Sequence, residues 1–427
     1  MKIEDLHQLF LQAKSVSTDT RTLPSGTLFF ALKGDRFNAN TFAHKALDSG
    51  ASYCVIDEVQ EFNDERFILV DDVLQTLQDL ANYHRNYLNI PIVALTGSNG
   101  KTTTKELIYS VLKQRYNTQA TLGNLNNHIG VPLTLLQMDQ STEIGIVEMG
   151  ANHIGEIALL CKIANPDFGY ITNFGKAHLE GFGSEEGVVE GKSELYNYLK
   201  QKQGLIFLNV DDEKQVKQVG DYQIVKTFSC TKTSDYSISL QKETPFLGIE
   251  ANNTLIHTQL LGRYNFTNTA AAIAIGLHFD VDLKSIKKGI ESYVPKNNRS
   301  QIIKQNSNTI ILDAYNANPS SVEAALQNLK MMEGIQKIVI LGDMFELGEQ
   351  SYAEHQSVID LAKSLDFSKL YLVGNHFFEH SQNYPEIMFF KALEDIQQYL
   401  ESHPIEEAMI LIKGSRGMAL EHILDLV

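Results

Sequence analysis

The chain has 427 residues, more than one hydrophobic core comfortably serves, so two or three domains are expected. Its 36 basic residues stand against 52 acidic ones, a formal net charge of -16, which argues against nucleic acid or an anionic membrane as the main partner. Three scattered cysteines (Cys54, Cys161, Cys230) fit buried thiols in a reducing compartment. With no signal-peptide core in MKIEDLHQLFLQAK and no apolar run of membrane-spanning length, a soluble cytoplasmic protein is expected.

Along the chain, short β-branched runs alternate with longer helix-like segments, the pattern of parallel sheets covered by helices. A helical stretch, VLQTLQDLANYHRNYL, stops just before Pro91 and marks a first seam. Strands are then expected at 91–96 (PIVALT), 143–149 (EIGIVEM), 168–172 (FGYIT) and 204–210 (GLIFLNV), with a more polar, antiparallel excursion over about 212–262. The proline-marked YVPKNN (293–298) reads as a second linker. Beyond it, strands are expected at 308–314 (NTIILDA), 337–343 (KIVILGD), 369–374 (KLYLVG) and 408–414 (AMILIKG). The expected units are therefore 1–88, 89–296 and 297–427. Ligands of open α/β sheets gather at the carboxyl ends of strands, which makes Gly97, Glu148, Asn173, Asp313, Asp343 and Lys413 site candidates by position.

The segment TGSNGKTTT (96–104) is the strongest chemical signal. A strand feeding a glycine turn and then a helix aims backbone N–H groups and the positive end of the helix dipole at one point, which suits phosphate. The usual phosphate loop has four residues between its first glycine and Gly-Lys-Ser/Thr; here only Ser98 and Asn99 separate Gly97 from Gly100. Lys101 would neutralise the β and γ phosphates, and the Thr102 hydroxyl could hold Mg2+. The loop alone leaves kinase, hydrolase and ligase open. Glu148 and His178, each following a predicted strand, join it as metal-ligand candidates. Lys192, beside Glu190 and Glu194 on a probable helix, reads from these residues alone as one more surface lysine.

The short loop TGSNGKTTT is similar to that of the Mur ligases, the ATP-dependent amide-bond formers of peptidoglycan precursor synthesis. Further motifs follow in the family's order: GNLNNHIGVPLTLL, VEMG, ITNFGKAHLEGFGS, EGKSEL, GRYNFTNTAAAIAIG, LDAYNANPSSVEAAL, LGDMFELGEQSYAEH and KGSRGMALE. YNANP and LGDMFELG resemble the branch that adds D-alanyl-D-alanine to a UDP-linked muramoyl tripeptide. The DNPR-like motif of the sister branch that adds the third amino acid is absent from the sequence.

The resemblance implies an α/β protein of three domains: a small UDP-sugar-binding domain, a central ATPase domain with a parallel sheet, and a Rossmann-like carboxyl-terminal domain that receives the dipeptide and closes on ATP. It implies carboxylate activation by ATP to an acyl phosphate, then attack by an amine. By similarity, Gly97, Ser98, Asn99, Gly100, Lys101, Thr102 and Thr103 cradle the phosphates. Thr102 and Glu148 hold one Mg2+, while His178 and Lys192 hold a second, Lys192 as a carbamate. Asn127, Asn265 and Asn268 match nucleotide-side asparagines, although His128 and Tyr264 depart from the family's usual Glu and His. Arg299 and Asp313 would complete the ATP site. In the first unit, Thr18, Asp19, Thr20, Arg21, Lys33, Gly34 and Asn40 match UDP contacts. In the third, Asn316, Asn318, Asp343, Glu346, His355, Lys413, Ser415 and Arg416 are candidates for the dipeptide pocket or its closure, with Lys413 and Arg416 suited to a carboxylate. The expected partners are thus the muramoyl tripeptide and D-Ala-D-Ala, met by a monomer. Rivals are a ligase with the same ATPase core, adding one amino acid or acting like a folylpolyglutamate synthase, and a nucleotide-binding regulator without catalysis.

Overall fold

The computed structural model describes residues 1–60, 64–296, 298–334 and 336–427; Asn297, in the second predicted linker, lies outside them. The protein is a three-domain α/β molecule. Among the described residues, the amino-terminal part carries a four-stranded parallel sheet of Ser15–Ser17, Thr27–Phe30, Tyr53–Ile56 and Phe67–Leu69. Helix Val73–Leu88 follows, capped by Asp72 and closed by left-handed Asn89 (φ 48°), where the short amide side chain tolerates the positive φ.

The central sheet has nine strands. Its parallel core runs Val225–Ser229, Leu205–Asn209, Phe168–Ile171, Ile92–Thr96, Ile144–Glu148 and Thr118–Ala120 in spatial order. All five residues of Ile92–Thr96 and of Ile144–Glu148 are buried, as expected for strands covered on both faces. The antiparallel excursion expected over about 212–262 is narrower: Val225–Ser229 pairs parallel with Leu205–Asn209, and only Tyr236–Lys242, Phe246–Ala251 and Thr254–Leu261 pair antiparallel with one another, extending this same sheet because Tyr236–Lys242 begins parallel to Val225–Ser229. The third sheet orders Gln301–Gln305, Asn308–Asp313, Ala408–Lys413, Gln336–Gly342, Lys369–Val373 and Met388–Phe390, all parallel except the first pair. Each of the eight strands read from the sequence is present, with its ends within one residue of those read.

Two features aim the central domain at a site. Helix Lys101–Leu112 lies against helix Tyr264–His278, whose AAAIAI stretch is wholly buried, and the contact is close enough that a Cβ on Gly276 would stand 2.5 Å from Val111. That approach brings the first turn of Tyr264–His278, with Asn265 and Asn268, over the turn at Gly100. The third sheet's strands Asn308–Asp313 and Ala408–Lys413 end facing the same place.

Candidate functional site

A cavity of about 830 Å³ opens where the central and carboxyl-terminal domains meet. Its wall includes Ser98, Asn99, Gly100, Lys101, Thr102, Thr103, Asn127, Glu148, His178, Asn265, Asn268, Arg299, Asp313, Asn316, Asn318 and Lys413, brought together from stretches far apart in the sequence. Gly97 sits just behind it. Thr18, Asp19, Thr20, Arg21, Lys33, Gly34, Asn40, Lys192, Ser415 and Arg416 are not part of that wall.

The loop at 97–100 turns through two left-handed glycines, Gly97 (φ 141°) and Gly100 (φ 78°). Neither position admits a side chain: a Cβ on Gly97 would lie 2.0 Å from Thr172 Oγ1, and one on Gly100 2.6 Å from Asn268 Oδ1. Helix Lys101–Leu112 starts at Gly100 without a side-chain cap, so its first N–H groups remain free to meet an anion. Lys101 Nζ donates to the carbonyls of Gly97 (2.7 Å) and Ser98 (3.1 Å), folding its charge over the loop. Burial pushes its pKa down, against the pull of Glu148.

Glu148, 1% exposed, is the clearest cation-binding group. Its Oε1 accepts from Thr102 Oγ1 (3.1 Å) and Asn126 Nδ2 (2.8 Å), while Oε2 is buried with no hydrogen-bond partner. A carboxylate oxygen and a hydroxyl form a hard-oxygen donor set, and Mg2+ characteristically takes one or two protein oxygens and completes its shell with water and phosphate. The residues therefore fit a magnesium ion. Among the described residues no three His, Cys, Asp or Glu side chains cluster as a self-sufficient metal cage.

His178 adopts φ 54°, and its Nδ1 lies against Glu346 Oε2 of the carboxyl-terminal domain; that contact lowers the pKa of Glu346. Lys192 is fully buried on helix Glu185–Lys202. Its Nζ donates to Ala151 O (2.8 Å) and stands 4.8 Å from the centroid of the Phe182 ring. Burial first, and then the nearby charge of Lys101, hold its pKa well below the usual lysine range. The neutral amine is a poor ligand for a hard cation but is the form that reacts with carbon dioxide. The surface reading of Lys192 is corrected: the helix buries it because Gly187 and Gly191 let Phe182 approach, a Cβ at either standing within 2.4 Å of Phe182 atoms.

Across the cavity, Asn265 donates to Leu261 O (2.8 Å) and its Oδ1 accepts from Asn268 Nδ2 (2.9 Å). Tyr264, where the sequence departs from the family's histidine, pairs its hydroxyl with Ser300 Oγ (2.9 Å), and Ser300 N donates to Asp313 Oδ1 (3.0 Å). Asp313 Oδ2 accepts from Lys413 Nζ (2.6 Å), which also donates to Asn316 O (3.1 Å). The Arg299 guanidinium stacks 3.8 Å over Tyr315. Asn127 Oδ1 accepts from Ile129 N (3.1 Å) and Gly130 N (2.9 Å), just ahead of helix Gly130–Leu135.

Other candidates are engaged within the fold. Arg416, on the surface, pairs with Glu421, and Ser415 accepts from Phe345 N. Asp343 accepts from His376 N and Phe377 N and so caps helix Asn375–Phe378; His355 accepts from Met344 N through Nε2. In the amino-terminal domain, Asp19 caps the turn Thr20–Thr22 and grips Arg21, Lys33 pairs with Asp57 (3.0 Å), and buried Asn40 donates to Asp57 (2.7 Å). Thr18 is half-buried and Gly34 exposed on that same domain.

Residues the sequence did not single out include Asn126, which orients Glu148, and Tyr315 beneath Arg299. Both lie inside motifs already quoted, one position from a chosen asparagine.

The Mur ligase middle domain matches residues 95–276, and the Mur ligase glutamate ligase domain matches residues 298–416. The UDP-N-acetylmuramoyl-tripeptide--D-alanyl-D-alanine ligase of Bacillus subtilis is 36% identical, over 96% of this chain and 93% of its own length. The structure of MurF from Acinetobacter baumannii superposes with a TM-score of 0.88 at 30% identity, over 100% of this chain and 98% of that one. The MurF ligase of Thermotoga maritima in complex with ADP gives 0.83 at 27% identity, over 98% and 97%. With both catalytic-domain families matched and such identity along almost its whole length, the chain belongs to the Mur ligase family.

Proposed function

We propose that the protein is the ATP-dependent, ADP-forming ligase that joins D-Ala-D-Ala to UDP-N-acetylmuramoyl-tripeptide in peptidoglycan precursor synthesis. The observation that carries this reading is one cavity in which a phosphate-type loop, a buried carboxylate with an unpartnered oxygen and the ends of two carboxyl-terminal strands converge. The work such a site must do is electrostatic, since a substrate carboxylate and a triphosphate repel each other until fixed positive groups offset their charge.

The N–H groups of the 97–103 loop and Lys101 hold the phosphates. Asn265 and Asn268 face the base side, and Arg299 and Asp313 the sugar side, with Lys413 holding Asp313 in place. Thr102 and Glu148 would hold Mg2+, which supplies charge neutralisation of the phosphate oxygens when bound. We assign a second Mg2+ to His178 and to Lys192 as its carbamate, a change that turns a buried amine into an oxygen ligand. The substrate carboxylate attacks the γ-phosphate, giving an acyl phosphate and ADP; the dipeptide amine then displaces phosphate to form the amide. Docking of the carboxyl-terminal domain excludes water that would hydrolyse the acyl phosphate. Arg416, exchanging Glu421, is assigned to the dipeptide carboxylate, with Asn316 and Ser415 beside it.

The division into 1–88, 89–296 and 297–427 accompanies this reading, as do a UDP site at Thr18–Arg21, Lys33, Gly34 and Asn40 and a monomeric, cytoplasmic state. No helix among the described residues is long and apolar enough to cross a membrane. The test is phosphate release with UDP-muramoyl tripeptide, with and without D-Ala-D-Ala. Release that needs the dipeptide supports the reading. Release driven equally by glutamate or a lone diamino acid refutes it in favour of a single-amino-acid ligase.

A further inference from the structure

Asn318, the fourth residue of YNANP, caps helix Pro319–Met331, and its amide faces two ways. Oδ1 accepts from Ser321 N (2.9 Å), half of a capping box completed by Ser321 Oγ. Nδ2 crosses to the central domain and donates to Asn99 Oδ1 (2.8 Å), 219 residues away in sequence. The asparagine is 6% exposed, so this bond is shielded from competing water.

Among the described residues, the other hydrogen bonds of Asn99 stay within its own domain. Its N–H donates to Asn173 Oδ1 (3.1 Å), and its carbonyl accepts from Thr172 Oγ1 (2.6 Å) and Asn173 Nδ2 (3.0 Å). With the peptide held on both sides, the side chain is the part left to meet the carboxyl-terminal domain. Two residues on from Asn318, Ser320 Oγ accepts from Lys176 N (3.0 Å). Gly175 lies between these two bridges, so close that a Cβ there would be 3.1 Å from Asn99 Nδ2 and 3.2 Å from Ser320 Oγ. Asn99 directly precedes Gly100 and Lys101, so the orientation of its peptide sets where the first N–H groups of helix Lys101–Leu112 point.

We propose that Asn318 is a positioning residue whose amide couples docking of the carboxyl-terminal domain to the geometry of the phosphate loop, through Asn99. The inference rests on the cavity being the nucleotide site. Linkage makes the coupling reciprocal: a docked domain tightens nucleotide binding, and bound nucleotide favours docking by the same factor. The arrangement also separates the two duties of Asn318, because a serine there keeps a cap oxygen but cannot reach Asn99.

The experiment compares wild type, Asn318→Ser, Asn99→Ala and the double variant by ADP titration calorimetry, thermal midpoint and steady-state kinetics. Serine caps about as well as asparagine, so the midpoint of Asn318→Ser stays close to wild type. ADP affinity falls by about fivefold, the equivalent of roughly 1 kcal/mol for one lost neutral hydrogen bond. KM for ATP rises while KM for the dipeptide at saturating ATP holds, and the double variant binds ADP no more weakly than Asn99→Ala. Wild-type ADP affinity in Asn318→Ser, or fully additive losses in the double variant, overturns the coupling. A raised dipeptide KM with unchanged ADP affinity also overturns it, by making Asn318 a substrate contact. Failure of the wild type itself to bind ADP instead refutes the nucleotide reading on which the inference stands.

Discussion

The unpartnered oxygen of Glu148 predicts that one substitution moves stability and turnover in opposite directions. Glu148→Gln keeps the shape of the side chain and a carbonyl oxygen for Thr102 Oγ1 and Asn126 Nδ2, which now meet at Oε1 over 3.1 and 2.8 Å. It removes a charge from a side chain only 1% exposed, one of whose oxygens has no protein partner. Leaving a buried polar atom unsatisfied costs about 1–3 kcal/mol, and more when it is charged. Against this relief stand the attraction between Glu148 and Lys101 that the substitution gives up and the new amide N–H groups, themselves without partners. The net expectation, measured in chelator, is a gain of about 1 kcal/mol, or a rise of about 2–4 °C in the unfolding midpoint of a domain of this size. Turnover at saturating substrates falls by at least about a hundredfold, the scale of losing one charge-stabilising group. The stabilisation that wild type gains from Mg2+ with ADP largely disappears. Scanning calorimetry with chelator, with Mg2+ and with Mg2+ plus ADP reads all three outcomes. A variant that melts below wild type in chelator and keeps its magnesium response would show that Glu148 is a structural carboxylate.

Lys101→Ala abolishes product formation, because the loop loses the cation nearest the phosphates; near-normal turnover would remove the loop from the reaction. His178→Ala lowers kcat more than it raises KM for ATP, and an unchanged kcat would take it out of the metal site. Asp313→Asn strands the ammonium of Lys413, which is 2% exposed, and costs about 3 kcal/mol or more by urea denaturation; adding Lys413→Met restores most of it, since a buried pair replaced by apolar volume is close to neutral. If the double variant is no more stable than Asp313→Asn, the pair does not act as a unit. His355 accepts Met344 N on Nε2 and donates from Nδ1 to Ser351 O, so it must stay neutral; burial lowers its pKa to about 4, with His376 and His380 adding to the effect and Glu379 opposing it. The unfolded chain takes up that proton near pH 6.5, so stability is complete above that pH and drains away as pH falls toward 4, by up to about 3 kcal/mol. A flat stability profile across that window, or the same slope in His355→Gln, would contradict the assignment.

Eight strands of the two larger sheets were legible because each is a largely buried apolar run ending in a polar or glycine turn, whereas the parallel strand Val225–Ser229, half-buried over its first three residues, was read as part of the antiparallel excursion. The amino-terminal sheet was not legible, since Ser15–Ser17 and Phe67–Leu69 have three residues each and show no alternation to read; edge strands Thr118–Ala120 and Met388–Phe390 escaped for the same reason. Strand ends located Glu148, Asp313 and Lys413 at the cavity. The same rule also picked Asp343, which turns to cap helix Asn375–Phe378, because position at a sheet edge does not say which way a side chain points. Lys192 could not be read from its charged neighbours. Its burial is set by two glycines and a phenylalanine that fold back on the helix, while Glu194 turns to accept Gly155 N and Ala158 N. Contacts such as Asn318 with Asn99 exist only once two domains are docked, and no local pattern encodes them.

The way the site keeps its charges apart follows the same logic. Lys101 donates to the backbone carbonyls of Gly97 and Ser98 and makes no hydrogen bond to Glu148. Had Lys101 paired with Glu148, an incoming phosphate would first have to break a buried ion pair, and the cation left to the phosphate would come at the cost of a stranded carboxylate. Carbonyl partners are neutral dipoles, so they hold the Lys101 amine in position without cancelling its charge. The carboxylate is oriented instead by Thr102 and by Asn126, which is neutral as well, and keeps one oxygen unclaimed. Fold stability is thereby spent on separated charges at the one place where an anion and a cation must enter together.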